Sequence, residues 1–178
     1  MTWINAILEQ YTAIDSQSLD EREYYGPYNT LLAHLFPYDD YFQVVPIYRG
    51  PISPGSIELS TMYIVQKRGC PVFFLEIKPG AHLENAYARW KADEQMREGF
   101  RGLIDQLKDF VQRLYGVSVI GTRFSVYSYE KASTMLSPYS IPQNPTILND
   151  RAPVNRWRYD LLEESGEAKI KEVVAEAK

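Results

Sequence analysis

Short apolar runs rich in β-forming residues lie on both sides of one long stretch with helical periodicity. Between residues 81 and 115 apolar side chains recur every three or four positions, which predicts a helix that ends at Gly116, with a break near Gly99 and Gly102 left open. The predicted elements in chain order are a helix at 20–35, strands at 41–48, 56–66 and 70–78, the helix at 81–115, strands at 117–120 and 123–129, and a C-terminal helix from 161 to 178. The predicted core comprises Leu31, Leu35, Val44, Leu59, Phe73, Leu75, Ile77, Leu103, Leu107 and Val119.

The first predicted helix has a recognisable start. Asp20 is suited to the N-cap position, with Glu23 three residues later, and Gly26-Pro27 predicts a kink. The segment 131–157 has no such periodicity and contains several prolines, so it is predicted to be a loop-rich extension.

The strand predicted at 70–78 ends with two charged residues that carry most of the chemical information. Glu76 and Lys78 are two positions apart, so they point to the same face of the strand as Phe74. Placing an acid and a lysine at the end of an otherwise apolar strand costs desolvation unless they are paired or bind something. The spacing alone says little, because acid-x-Lys also occurs twice in the charged C-terminal segment. The alternative to a functional site is an ion pair at the end of the strand that has no chemical role.

The connection to the preceding strand predicts which residues lie opposite. A three-residue loop, Lys67-Arg68-Gly69, would pair Gln66 with Cys70 in an antiparallel hairpin. That register places Glu58 opposite Lys78 and brings Glu58, Glu76 and Lys78 onto one face. A register shift of one residue would destroy the convergence.

Composition excludes some kinds of site. The chain has 178 residues, one cysteine, two histidines and a formal net charge of −4. An internal disulfide is therefore excluded, and a zinc site of Cys and His ligands is not expected. Carboxylates would have to hold any divalent ion, which favours magnesium or manganese. With no membrane-spanning run and no signal-peptide pattern at Met1–Asn5, we expect no membrane partner and an intracellular location, cytoplasmic or nuclear.

The acidic net charge argues mildly against nucleic acid, but basic residues concentrate in the middle third of the chain. They are Arg49, Lys67, Arg68, Lys78, Arg89, Lys91, Arg97 and Arg101. Their spacing leaves open whether they converge in space.

The order helix, three strands, helix, strand resembles the core of the PD-(D/E)XK nuclease-like superfamily. The chain also resembles a group of uncharacterised fungal proteins, chiefly from basidiomycete mushrooms. This second resemblance rests on the segments 22–29, 73–79, 92–95, 121–123 and 152–157. Together they imply an α/β (α+β) fold, an αβββαβ core with a central mixed sheet flanked by helices. The expected organisation is a single domain, 1–178, with a core at about 20–130, an extension at 131–157 and a C-terminal helix at 158–178.

The nuclease resemblance implies a role for each matching residue. Glu76 matches the second metal-binding acid, the backbone carbonyl of Ile77 a further ligand, and Lys78 the catalytic lysine. Glu58 occupies the place of the first acid, which is usually an aspartate preceded by proline, and here it is neither. The implied activity is magnesium- or manganese-dependent hydrolysis of phosphodiester bonds in nucleic acid.

Further members of the site are implied with alternatives left open. Glu23 matches the acid that many members carry on the first helix. Either Gln95 or Gln106 matches a helical glutamine that some members place beside the phosphate.

A different function remains open: a catalytically inactive module with the same fold that binds nucleic acid or protein. The missing Pro-Asp pair and the acidic net charge favour it. Tyr24, Tyr25 and Tyr28 are predicted either to close the core or to form a binding surface that stacks bases. The charged C-terminal helix is a candidate contact for a homodimer.

Overall fold

A computed structural model describes residues 3–49 and 60–178 of the chain. The helices are α1 (Asn5–Thr12), α2 (Tyr25–Leu35), α3 (Ala86–Leu103) and α4 (Glu164–Ala177). The strands are β1 (Phe42–Arg49), β2 (Ser60–Lys67), β3 (Cys70–Lys78), β4 (Arg113–Ile120), β5 (Arg123–Glu130), β6 (Met135–Ser137) and β7 (Tyr159–Asp160). Within these described residues, no helix is long and apolar enough to cross a membrane.

The strands form one mixed sheet in the order β1-β2-β3-β4-β5-β6, and β7 pairs with β5. Strands β1, β2 and β3 are antiparallel neighbours, whereas β3 and β4 run parallel and are connected through α3. Strand β3 therefore lies inside the sheet with neighbours on both edges and helices on both faces. A strand covered in this way is continuously apolar, which explains the run from 70 to 77. The expected α/β fold with a central mixed sheet flanked by helices is confirmed.

The two faces of the sheet have separate apolar cores. On one face, Phe73, Leu75 and Ile77 belong to a core that also contains buried residues of α1, α2 and α4. On the other face, Phe74 packs edge-on against Phe100 of α3, with 4.7 Å between the ring centroids. Strand β3 thus joins the two layers, with its odd-numbered side chains in the core that also contains α1, α2 and α4.

Most of the predicted core is buried. Leu31, Leu35, Phe73, Leu75, Ile77, Leu103 and Val119 are buried. Val44 and Leu107 are partly buried and pack against the core, and Leu59 lies outside the described residues.

The β2–β3 hairpin differs from the predicted loop. Its turn has two residues, Arg68 and Gly69, because Lys67 pairs with Cys70. Their φ angles of 53° and 72° fit a tight hairpin turn that requires left-handed backbone at both positions. A bulge between Val65 and Gln66 then shifts the register again.

Relative to the predicted pairing, the two shifts add up to two residues. The side chains of β2 therefore point to the faces of the sheet that were predicted for them. Met62, rather than the predicted Ser60, lies opposite Glu76. Because side chains alternate with a period of two, a shift of two residues leaves even-numbered positions of β2 on the Glu76 face.

The helix predicted at 81–115 is too long at both ends. Helix α3 spans Ala86–Leu103 and is followed by a 3₁₀ turn at Ile104–Gln106. Strand β4 begins at Arg113, so Gly116 is inside a strand and does not cap a helix. A Cβ at Gly116 would lie 2.7 Å from side-chain atoms of Met96 and Phe74, so glycine is needed for close packing.

The N-terminal region also differs in detail. Asp20 does cap a helical segment, since its side chain accepts a hydrogen bond from the backbone N–H of Arg22. That segment is a 3₁₀ turn at Glu21–Tyr24, and α2 begins only at Tyr25. Helix α1 was not predicted, the C-terminal helix begins at Glu164, and the extension contains β6.

Candidate functional site

Glu76 and Lys78 lie at the carboxyl end of β3, on the face covered by α3. Their exposed fractions are only 2% and 7%. Neighbouring strands explain this burial, since Glu76 pairs with Met62 of β2 and Ser118 of β4, and Lys78 pairs with Ile120. Buried charges in proteins are paired or coordinate metal ions. This pair is therefore the centre of the candidate site.

Helix α3 approaches Glu76 closely because it has a glycine at the crossing point. A Cβ at Gly99 would lie 3.4 Å from Oε1 of Glu76 and 2.7 Å from Cε2 of Phe74. The contact with Phe74 is the one that excludes a side chain, because the distance to Glu76 is that of an ordinary van der Waals contact. Gly99 therefore lets α3 pack closely on Phe74, and this close packing also brings the helix next to the Glu76 carboxylate.

Glu21 lies next to Lys78. Its Oε2 atom is 3.9 Å from Nζ of Lys78, and both side chains are largely buried. Tyr25 donates a hydrogen bond of 2.5 Å to the other oxygen of Glu21. Burial raises the pKa of Tyr25 and the hydrogen bond to Glu21 raises it further, although a hydrogen bond with Thr61 opposes this. Tyr25 therefore keeps its proton and orients the Glu21 carboxylate.

The acid on the first helical segment was predicted to be Glu23, but Glu23 is exposed. The signal for Glu21 was present in the sequence. Positions 21, 24, 25 and 28 lie on one helical face, and its aromatic members Tyr24 and Tyr28 are buried. The glutamate that shares their spacing faces inward with them.

Of the two glutamines, only Gln95 is placed near this site. Gln95 is buried and lies one helical turn before Gly99, on the same side of α3. Within the described part of the chain, its Oε1 atom has no hydrogen-bond partner. Since α3 runs back along β3 after the connection at 79–85, Gln95 lies about 6 Å closer than Gly99 to the helix end that follows Lys78.

Gln106 is at the other end of β3. It is exposed, its side chain donates to the carbonyl of Gly102, and its backbone oxygen lies 3.6 Å from Sγ of Cys70. Cys70 and Lys78 are eight residues apart on one strand, about 26 Å. The structure therefore does not bring Gln106 to the site.

The first predicted metal-binding acid, Glu58, lies outside the described residues. The side chains of Glu76 and Glu21 and the carbonyl of Ile77 are hard oxygen donors of the kind that magnesium and manganese prefer. Nevertheless, the residues that the structure describes contain no group of three or more His, Cys, Asp or Glu side chains able to hold a metal ion. The donors fit such an ion in kind, and a complete set would need Glu58.

A second polar cluster holds α3 in place. Asp93, also only 2% exposed, accepts hydrogen bonds from Nε of Arg97 at 2.9 Å and from the hydroxyl of Tyr127 at 2.8 Å. Arg156 makes a further ion pair with the same carboxylate. Burial, together with the charge of Asp93 and the hydrogen bond to it, raises the pKa of Tyr127, so this tyrosine stays protonated and donates.

The same arginines bind the loop-rich extension. Arg97 donates to the carbonyl of Pro138 at 3.0 Å, and Arg156 donates to that of Tyr139 at 2.8 Å. Arg89 likewise donates to the carbonyl of Ala152 at 2.9 Å. The segments 92–95 and 152–157 thus meet at Asp93 and have a structural role there.

These contacts bear on whether the basic residues of the middle third converge in space. Arg89 and Arg97 are buried and engaged in the contacts just described, so they add nothing to a basic surface. Lys67 and Arg68 lie at the hairpin turn, at the other end of β3 from Lys78. These four residues, taken from the part of the chain whose side chains the structure describes, therefore do not form one basic surface with Lys78. The side chain of Arg49 lies outside that part.

Of the two alternatives predicted for the tyrosines, closing the core is confirmed for Tyr24 and Tyr28. Tyr24 and Tyr28 are buried, and the hydroxyl of Tyr28 donates to the carbonyl of Gly121 at 2.7 Å. They close the core beside the sheet. Only Tyr25, which contacts Glu21, belongs to the candidate site.

The chain matched no protein-family model, no curated protein and no solved structure. The functional interpretation therefore depends on the residues and the geometry described above.

Proposed function

We propose that this chain is a metal-dependent nuclease-like protein of the PD-(D/E)XK type, which hydrolyses phosphodiester bonds of nucleic acid at Glu58, Glu76 and Lys78. One observation carries the proposal: a buried acid and a buried lysine share one face at the carboxyl end of the central strand. Such a pair is costly to bury without a function or a partner.

The order and the direction of the elements support the proposal. A helix precedes three antiparallel strands, and the third strand is joined through α3 to a parallel fourth strand. This is the element order of the nuclease superfamily that the sequence resembles. The acid and the lysine are on its third strand, as that resemblance implies.

The residues have distinct proposed roles. Glu76 and Glu58 would hold a magnesium or manganese ion with the carbonyl of Ile77, which has two lone pairs and can serve both the sheet and the ion. When bound, such an ion polarises the phosphate and lowers the pKa of a coordinated water. Lys78 stabilises the negative charge that develops on the phosphate. Glu21 keeps the lysine amine in position.

Gln95 would complete the proposed site from helix α3, which covers the strand that carries Glu76 and Lys78. Its buried amide group lies on the α3 face that covers β3. An amide NH₂ group can donate to a phosphate oxygen. We therefore assign the substrate-binding role to Gln95 and not to Gln106.

A second candidate function is a binding module that keeps the fold without turnover. The observation that favours it is the contact between Lys78 and Glu21, because an ion pair within the chain satisfies the lysine without any substrate. The lack of a group of three metal-binding side chains in the described ranges 3–49 and 60–178 points the same way.

The test compares metal binding with turnover. We expect calorimetric titration with Mg²⁺ or Mn²⁺ to show binding, and DNA or RNA to be cut only when the ion is present. Lys78→Ala should abolish cleavage but leave folding and metal binding largely intact, because the lysine is not a metal ligand. Glu76→Ala should abolish both. Glu98→Ala and Lys169→Ala are matched controls, since neither residue belongs to the site.

A negative result would be informative. If the protein binds neither ion at millimolar concentration and cuts no single- or double-stranded DNA or RNA, the binding-module function replaces the nuclease function. Cleavage that survives in Lys78→Ala would show that the assigned site is the wrong one.

A further inference from the structure

An exposed groove lies beside the first turns of α3. Tyr87 and Trp90 form one side, and residues 147–151 form the other, enclosing about 350 Å³. Three large apolar side chains are left in solvent here: Tyr87 is 59% exposed, Ile147 64% and Leu148 fully exposed. A cluster of exposed apolar residues around a groove is typical of a binding surface.

Cations are interleaved with the aromatic rings of this α3 groove. Nζ of Lys91 lies 5.4 Å from the ring centroid of Trp90 and 5.7 Å from that of Tyr87. The guanidinium of Arg151 lies 4.9 Å from the Trp90 centroid. Arg151 also faces Glu94 at 3.9 Å, whereas Lys91 makes no ion pair within the described residues.

This arrangement of rings and cations matches the chemistry of unpaired nucleotides. Bases of single strands stack on aromatic rings and on guanidinium planes, and their phosphates bind cations. Tyr87 offers an exposed ring, Arg151 a guanidinium plane, and Lys91 a charge for the phosphate. A duplex keeps its bases stacked inside and could not use these faces.

The groove lies on the same helix as Gln95, the proposed substrate-binding residue, and within a short distance of it. Lys91 lies one helical turn before Gln95, and Tyr87 lies one turn before Lys91, so Tyr87 and Gln95 are about 12 Å apart along α3. Only a few nucleotides of an unpaired strand are needed to span this distance, and fewer when the strand is extended than when its bases are stacked.

We propose that the α3 groove binds an unpaired base of single-stranded nucleic acid and directs that strand toward Lys78. This inference rests on the proposed function, since it names the substrate class of the same site. The flanking cations favour nucleic acid over an apolar protein segment, which would gain nothing from Lys91.

Tryptophan fluorescence provides a direct test. Trp3 and Trp157 are buried, so Trp90 is the tryptophan that a ligand in the groove would contact. In EDTA and at low salt, a short oligothymidylate should quench the fluorescence in a saturable manner, and Trp90→Phe should remove the quenching. Tyr87→Ala should weaken binding about tenfold or more, as expected when one stacking ring is lost. Tyr38→Ala, an exposed tyrosine in another part of the fold, should have no effect.

Binding without metal separates this inference from the nuclease proposal. The titration in EDTA measures binding alone, because the proposed cleavage requires a divalent ion. Glu98→Ala, which changes neither the groove nor the proposed site, should bind with the same affinity as the unmodified chain. Absence of saturable quenching would overturn the inference whether or not cleavage occurs. Equal affinity for duplex DNA, or equal losses for Tyr87→Ala and Tyr38→Ala, would also overturn it.

Discussion

Neutralising Asp93 is predicted to destabilise the protein strongly. Asp93→Asn keeps the shape of the side chain but leaves the guanidinium groups of Arg97 and Arg156, whose side chains are about one-tenth exposed, without a counter-charge. Removing one partner of a buried ion pair costs about 3–5 kcal/mol of unfolding free energy. The oxygen of asparagine can still accept from Tyr127, so the loss should come mainly from the missing charge.

Urea unfolding followed by circular dichroism would measure this loss. With a slope of about 2 kcal/mol per molar urea, the midpoint should fall by about 1.5–2.5 M. Asp109→Asn is the matched control, because Asp109 is fully exposed and forms an ion pair with Lys131 only at the surface. We expect no measurable shift for this control, since exposed ion pairs contribute little to stability.

Two further measurements would show whether the Asp93 cluster holds the extension. Because the cluster also binds the carbonyls of Pro138 and Tyr139, trypsin should cut Asp93→Asn at Arg151 faster than it cuts the unmodified chain. Adding Arg156→Gln to Asp93→Asn should cost less than the sum of the single changes, because the two residues interact directly. A loss below about 1 kcal/mol for Asp93→Asn, or a loss no larger than that of the control, would refute the reasoning.

Two other predictions concern stability. Leu75→Ala should cost about 2–5 kcal/mol, because Leu75 is buried in the centre of the sheet, and a loss below about 1 kcal/mol in urea unfolding would show that β3 is peripheral. Burial raises the pKa of Tyr11 well above its usual value, with further increases from Tyr28 and Tyr63, so the folded state favours the protonated form. The contribution of protonated Tyr11 to the free energy of unfolding is complete below pH 10 and is lost at higher pH by about 1.4 kcal/mol per pH unit. The Tyr11 hydroxyl has no hydrogen-bond partner within the described part of the chain, so Tyr11→Phe should not change the free energy of unfolding at pH 7. Between pH 10 and 11 the variant should lose less stability than the unmodified chain. An unchanged pH dependence would contradict this reasoning.

Strand β3 was predictable to the residue, because its apolar run is bounded by Gly69 on one side and Pro79 on the other. The shared facing of Glu76 and Lys78 follows from alternation alone, and the contact of Glu76 with α3 agrees with it. The exact register with β2 was not predictable, since the bulge at Val65 depends on packing across the sheet. The facing of β2 was predicted correctly only because the two one-residue errors in the register add up to two, which is the period of the alternation.

The errors elsewhere come from patterns that fit more than one structure. Apolar spacing at Leu107, Val111 and Leu114 fits a helix, yet β4 begins at Arg113, because packing against Phe74 decides the structure there. Glu23 follows the N-cap Asp20 by three residues, a spacing that suits a capping box, yet the chain forms a 3₁₀ turn there and it is Glu21 that contacts Lys78.

The cluster around Asp93 joins segments 34–63 residues apart in sequence. No local pattern indicates contacts between residues that are so distant along the chain. The segments 92–95 and 152–157 could be singled out in the sequence, but the contact between them could not. Burial of Asp93 with two arginines became evident only in the folded chain.

Helix α3 connects every functional element proposed for this chain. Gly99 lets it pack closely on Phe74 beside Glu76, Gln95 faces the end of β3, Asp93 fixes the helix to the extension, and Tyr87 carries the exposed ring of the groove. Such rigid support is expected of a site that must hold two carboxylates and a lysine within a fraction of an ångström. The glycine at 99 is explained by packing against Phe74, so it does not by itself distinguish a substrate site from a structural ion pair between Lys78 and Glu21. The buried Gln95 is different: its Oε1 atom has no hydrogen-bond partner within the described part of the chain, and stability gains nothing from burying such an atom. Loss of cleavage in Gln95→Ala without loss of stability is therefore the result that the proposed substrate-binding role predicts.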